Sequence, residues 1–327
     1  MKAARLNRHA LILITLSAFL AGCSGTQNAL GVAPSSVSPN VSHVPHTGAL
    51  LYVSNVRSAK VEMFSYPQVK TVGSFDAPGV VRGLCSDAAG NVWVTVGLSA
   101  TPELVEYAHG GTTPIATLSL SADIVPELCA VDPLTNNLAV AVGPGEVLIF
   151  QDEAGAPQTY YDSAFAEIYS LTYDTHGDLF IYGINTAGSS RNPLLGELVS
   201  GSSEFSNATF NHQVILSTFA QWRGHDILLG GITKLTGRRG NRMETETVWR
   251  VAASSSGLKV VGRKTFEAPT RPGIGIGPSA WLQGNTLLQQ DSSGNEIYFF
   301  AYPSGGRSIK ELHIHDGYQI MRMAVST

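Results

Sequence analysis

The chain has 327 residues, 43% of them hydrophobic and 14% charged, with 21 Lys and Arg against 25 Asp and Glu. That is enough apolar material for a packed core, and 34 Gly with 16 Pro fall well short of a collagen-like or disordered composition. A formal charge of −4 offers no field to draw in nucleic acid, which excludes basic nucleic-acid binders as a class. In chain order, the first predicted element is an address. Lys2, Arg5 and Arg8 precede the apolar run Leu11-Ile12-Leu13-Ile14-Thr15-Leu16-Ser17-Ala18-Phe19-Leu20. A spanning helix needs about 20 apolar residues, so this shorter run reads as a secretory signal.

The run ends in Leu20-Ala21-Gly22-Cys23, which resembles the lipobox of bacterial lipoproteins. The resemblance implies cleavage before Cys23, a diacylglycerol on its sulfur, acylation of its amine, and therefore the membrane as a partner. Ser24 in the next position resembles passengers sent to the outer membrane of organisms that have one. Acyl chains contribute about 0.8 kcal/mol per buried CH₂, so two or three of them anchor durably. The alternative for Cys23 is an ordinary buried thiol. Removing residues 1–22 takes three positive charges from a chain at −4 and leaves −7. Residues 24–46 contain Pro34, Pro39 and Pro45 and no Lys, Arg, Asp or Glu. They read as a flexible tether spanning about 26 Å. The expected organisation is thus a signal peptide over 1–22, a lipidated Cys and tether over 23–46, and a folded body over 47–327.

The body repeats itself. An apolar strand, a turn rich in Asp, Gly and Asn, and a second apolar strand recur at Gly83-Leu84-Cys85-Ser86-Asp87-Ala88-Ala89-Gly90-Asn91-Val92-Trp93-Val94, at Leu128 to Val140 and at Ser170 to Ile181. Degraded copies stand at Phe219 to Leu229 and Ser279 to Leu288. Each copy predicts an antiparallel hairpin. Equivalent turn residues are 45 apart from Asp87 to Asp132, 42 from Asp132 to Asp174, 47 from Gly177 to Gly224 and 60 from Gly224 to Gly284. Four short strands per period of about 40 to 50 residues is the pattern of propeller blades. Third strands with bulky apolar ends, such as Val61 to Phe64, Leu104 to Tyr107 and Ile297 to Phe300, count six blades rather than seven. The last run, Gln319 to Ser326, lacks a partner, and Gly48 to Val53 lacks a preceding strand. Joined, they predict an all-β, six-bladed propeller closed by pairing the C-terminal strand with the N-terminal blade, which leaves no open edge. The phrases resemble those of NHL-type six-bladed propellers over residues 80–182 and more weakly over 183–275, where blade five is expected to carry a long insertion.

Cys85 and Cys129 fall on inner strands of adjacent blades with opposite parity. That arrangement permits a disulfide, the alternative being two separate buried thiols. Residues opening the inner strands form the mouth of the central channel, where the candidates for ligand binding are Arg82, Glu127, Glu167 and Arg322, with Tyr169 and Gln319 nearby. The alternative is a solvated rim. Glu127 and Glu167 offer carboxylates for a lactonase-type metal site, but no pair of Asn falls at the matching inner positions, so no metal, cofactor or catalytic residue is assigned. His313 and His315 share a strand face and lack a third ligand for zinc. The loop Gly237-Arg238-Arg239-Gly240-Asn241-Arg242 offers a basic tip for anionic sugars or head groups. The expected function is a monomeric, lipid-anchored envelope module that binds a protein or glycan. A channel hydrolase or lyase is the alternative.

Overall fold

The computed structural model describes residues 47–55, 57–186, 193–210, 212–236, 242–254, 257–270, 279–290, 295–315 and 320–327. Six small sheets stand in a ring as a six-bladed β-propeller, with no helix among the described residues. Blade 1 begins with β1 (Leu50–Asn55), β2 (Lys60–Ser65) and β3 (Thr71–Asp76). Blade 2 holds β4 (Val80–Ser86), β5 (Val92–Gly97), β6 (Glu103–Tyr107) and β7 (Pro114–Ser119). Blade 3 holds β8 (Leu128–Val131), β9 (Leu138–Gly143), β10 (Glu146–Gln151) and β11 (Ala154–Tyr161). Blade 4 holds β12 (Phe165–Tyr173), β13 (Leu179–Asn185), β14 (Pro193–Leu198) and β15 (Ser206–Thr209). Blade 5 is built from β16 (Leu216–Arg223), β17 (Asp226–Thr236), β18 (Arg242–Ser254) and β19 (Gly257–Thr270). Blade 6 is β20 (Ala280–Gln283), β21 (Thr286–Gln290), β22 (Glu296–Ala301) and β24 (Lys310–His313); between its last two strands the chain sends out β23 (Gly306–Arg307), which pairs in parallel with β19. The final strand, β25 (Ile320–Ser326), returns to blade 1 and pairs antiparallel with β1, Leu51 opposite Val325 and Tyr52 opposite Ala324.

The core is divided into six apolar layers, one between each pair of blades, and strand alternation deals side chains to them. Tyr52 and Ala324 pack toward blade 2, while Leu51, Val53 and Val325 pack toward blade 6. Because both faces of each middle strand are covered, β1 and β5 are buried along their whole length and read as continuous apolar runs rather than alternating ones. The Asp of the repeated phrase is explained by the turn it builds. Asp87 Oδ1 accepts the Asn91 N–H at 2.7 Å, Asp132 Oδ1 that of Leu134 at 2.9 Å, and Asp174 Oδ1 those of His176 and Asp178. The turn then needs a left-handed residue, supplied by Gly90 (φ +88°) and Gly177 (φ +84°) and in blade 3 by Asn136 (φ +56°). Among the described residues the extra length of blade 5 goes into its strands: β17, β18 and β19 run to 11, 13 and 14 residues against about six in most other blades.

Candidate functional site

Inner strands carry their chemistry at register shifts. Val81 pairs with Val96 and Gly83 with Thr95, so Arg82 between them has no partner in the ladder. The same happens at Tyr169 in β12 and Thr218 in β16, while in β25 both Met321 and Arg322 stand opposite Ser54. A bulge turns its extra residue out of the pleat, so four of the six inner strands aim a polar or charged side chain out of the regular alternation, all in the half where the strand begins. In blade 1 the missing ladder bonds are replaced by a hydroxyl: Ser54 Oγ accepts from Arg322 N at 3.1 Å and donates to Arg322 O at 3.3 Å.

Near the bulges at Arg82 and Arg322, charged side chains from neighbouring blades come together. Arg82 Nη2 meets Glu127 Oε1 at 2.8 Å across the blade 2 to blade 3 boundary. The Tyr169 hydroxyl donates to Glu167 Oε2 at 2.9 Å, and burial together with that carboxylate pushes the phenol up to about 12. Arg322 sits among them, where burial draws its guanidinium down to about 10. Glu127 and Glu167 act to raise it, and Arg82 acts to lower it. Arg322 is therefore within electrostatic reach of the other three candidates. Gln319 lies outside the described residues.

A central cavity of about 350 Å³ is walled by β4, β8, β12, β16, β20 and β25. Arg322 and Tyr169 belong to its wall, whereas Arg82, Glu127 and Glu167 do not line it. Leu84, Leu128, Leu171, Phe219, Trp281 and Met323 give the wall its apolar stretches, and Asp87, Asp174, Tyr173 and Trp222 add polar groups toward the strand ends. Several of its hydroxyls are already engaged, while the Tyr173 hydroxyl and Trp222 Nε1 have no partner among the described residues. Ser170 Oγ accepts from Ala220 N at 2.8 Å and donates to Ala220 O at 3.2 Å, Thr172 Oγ1 accepts from Trp222 N at 3.1 Å, and Thr218 bonds to the buried Glu246. Gln221 does the same with its amide, reaching Leu282 O at 2.8 Å and Leu282 N at 2.9 Å. An inner strand has one edge facing the channel with no neighbouring strand, and these side chains satisfy the backbone groups that such an edge leaves open. None of them was nominated from the sequence, where Ser and Thr inside strands carry no distinguishing pattern.

Elsewhere, Cys85 and Cys129 are joined, with Cα atoms 5.6 Å apart, and tie blade 2 to blade 3. The two imidazoles do not converge: His313 Nδ1 stands 3.4 Å from Glu296 of its own blade, and His315 Nε2 lies 2.9 Å from Glu62 of blade 1. The basic tip 237–241 lies outside the described residues. Three carboxylates not singled out from the sequence as a group, Asp87, Glu106 and Glu153, bring oxygens within 4.8 Å of one another. Glu106 is buried, Asn91 Nδ2 bonds Asp87 at 2.9 Å, and Trp93 Nε1 donates to Glu153 at 2.9 Å. Burial, reinforced by the neighbouring acids and opposed by the Trp93 bond, pushes Glu153 up to about 7.

Comparison with known proteins extends the fold and not the chemistry. No protein-family model and no curated protein sequence matches the chain. Among solved structures, a protein of unknown function from Bacteroides caccae has a TM-score of 0.58 at 11% identity, over 86% of this chain and 99% of that one. Hydrazine synthase from Kuenenia stuttgartiensis has a TM-score of 0.54 at 13% identity, over 77% and 73%. The Cps50 (Swd1) β-propeller domain of Myceliophteria thermophila has a TM-score of 0.52 at 9% identity, over 81% and 83%. At such identities the likeness is one of fold alone.

Proposed function

We propose that this chain is a binding module of the bacterial cell envelope, anchored through an acylated Cys23 and engaging a protein or glycan at the mouth of its channel. A propeller ring supports binding or scaffolding in general, because it holds strand ends from many blades around one axis. The observation that carries the reading is the convergence of Arg82, Glu127, Glu167 and Arg322 from four different blades, three of the four inner strands that supply them being bulged at that level. The lipobox-like Leu20-Ala21-Gly22-Cys23 supports the anchor, and the uncharged stretch 24–46 supports a spacer between lipid and ring.

Two experiments test this. Labelled palmitate should enter the wild-type chain in cells and not Cys23→Ala, and only the former should sediment with membranes. Envelope glycan arrays and cross-linking in intact cells should then identify a partner whose capture falls at least tenfold in Arg82→Ala, Glu127→Gln and Glu167→Gln. Unchanged capture in all three, with unchanged melting, removes the mouth as the binding surface.

A further inference from the structure

Among the described residues Arg322 is the one cation at the cavity wall, and no carboxylate contacts it directly. Its Nη1 donates to Met321 O at 3.1 Å, its buried Nε has no acceptor, and no carboxylate oxygen lies within 4 Å of its nitrogens among the described residues. Of its two acidic neighbours, Glu127 is held by Arg82 at 2.8 Å, and Glu167 is exposed to solvent and bonded to Tyr169. A guanidinium N–H withdrawn from water without an acceptor is costly, as at Nε here, whereas the group against a carboxylate forms a short, charge-assisted fork. Below it, Ser170, Thr172, Thr218 and Gln221 spend their polar atoms on the protein itself. A molecule in the channel therefore meets one cation near the strand beginnings, apolar side chains along the strands, and Tyr173, Trp222, Asp87 and Asp174 toward their ends.

We propose that the central cavity binds a carboxylate whose ionised head lies on Arg322 and whose apolar body fills the sleeve lined by Leu84, Leu128, Leu171, Phe219 and Met323. This rests on reading the channel as the place where ligand is held, and it narrows that ligand's chemistry. The volume of about 350 Å³ is at the small end of ligand sites, which run roughly from 300 to 1,000 Å³. It suits a short acyl or aryl acid, or the C-terminal residue of a peptide.

The test uses the mature chain carrying Cys23→Ser, so that no lipid or detergent competes, and measures binding of octanoate, octanol and octylamine by calorimetry. Octanoate is expected to bind at least tenfold more tightly than either control, and Arg322→Leu to lose that preference while keeping the wild-type circular dichroism. Arg322→Lys, which keeps the charge without the fork, should retain part of it and serves if Arg322→Leu does not fold. Equal binding of octanoate and octanol, or an octanoate preference that survives Arg322→Leu, overturns the assignment. A short apolar peptide with a free or an amidated C-terminus separates the two sources: discrimination between these forms identifies a peptide terminus, and discrimination only among the octyl compounds identifies a free acid. Loss of partner capture in the mouth variants without any octanoate binding would leave the proposed function standing and sink this inference alone.

Discussion

At the scale of single residues, the most perturbed group in ordinary pH range is Glu153. Its carboxyl rises from an ordinary 4.5 to about 7 because burial disfavours the charged form and Glu106, Asp87 and Asp152 add like charge. A folded-state value above the unfolded one means that the native chain binds more protons than the unfolded chain between those two values. Stability from this site is therefore present below about pH 4.5 and lost as pH rises toward 7. Glu153→Gln keeps an oxygen for Trp93 Nε1 and removes the charge. The variant should show a flatter fall in melting temperature than wild type between pH 5 and 8, on the order of a few degrees, with the higher melting point at pH 8. Identical pH profiles for the two proteins would count against the cluster as a linked titrating unit. Nothing near Asp87 in the sequence signals this group, since Glu153 arrives from a tight turn of the next blade, where Asp152 and Glu153 hold φ of +49° and +54°.

Among the strands, the inner edges decide how the blades stay in register around the axis. Ser170 caps Ala220 and Thr172 caps Trp222, so blade 4 supplies the ladder bonds that blade 5 lacks; Ser86 Oγ reaches Val325 O at 3.2 Å and does the same between blades 2 and 1. Ser170→Ala would leave the Ala220 N–H without an acceptor at a buried position, a loss of about 1 to 3 kcal/mol. Urea unfolding should show it as a lower midpoint with an unchanged slope, whereas an unaltered midpoint would mean that the bond carries nothing net. Strand order and turn placement were legible in the sequence because buried strands and Asp-initiated turns leave residue-type signatures. The bulges were not, because an extra residue such as Arg82 or Tyr169 changes neither composition nor apolar content. Arg82, Glu127, Glu167 and Arg322 were nominated from their position at strand beginnings. Which of them pairs, and which is left alone, depended on inter-blade distances that no single strand encodes. The lengthening of blade 5 was visible as extra sequence, and only the ladder of Arg242–Ser254 with Gly257–Thr270 shows that it extends the sheet.

For the molecule as a whole, the ring is sealed at one place. Val53 pairs with Met323 and Leu50 with Ser326, and latches flank the seam: His109 Nδ1 lies 2.6 Å from Ser326 Oγ, His109 Nε2 lies 3.0 Å from Gly48 O, and Ser326 Oγ bonds to Gly90 O. A chain truncated after residue 319 would bare one edge of β1 and the apolar side chains that Met323 and Val325 cover in the layers between blades. It is expected to lose cooperative melting and to associate with rising concentration on size exclusion; a monomer melting as wild type would show that closure is dispensable. The same seam has a consequence for biogenesis. Its two halves are β1 and β25, the first and last of the ring's strands in chain order, so blade 1 can be finished only after every other blade has been made. A stop anywhere before β25 forfeits the one pairing that locks the circle, and proteases meet the defective product through that gap.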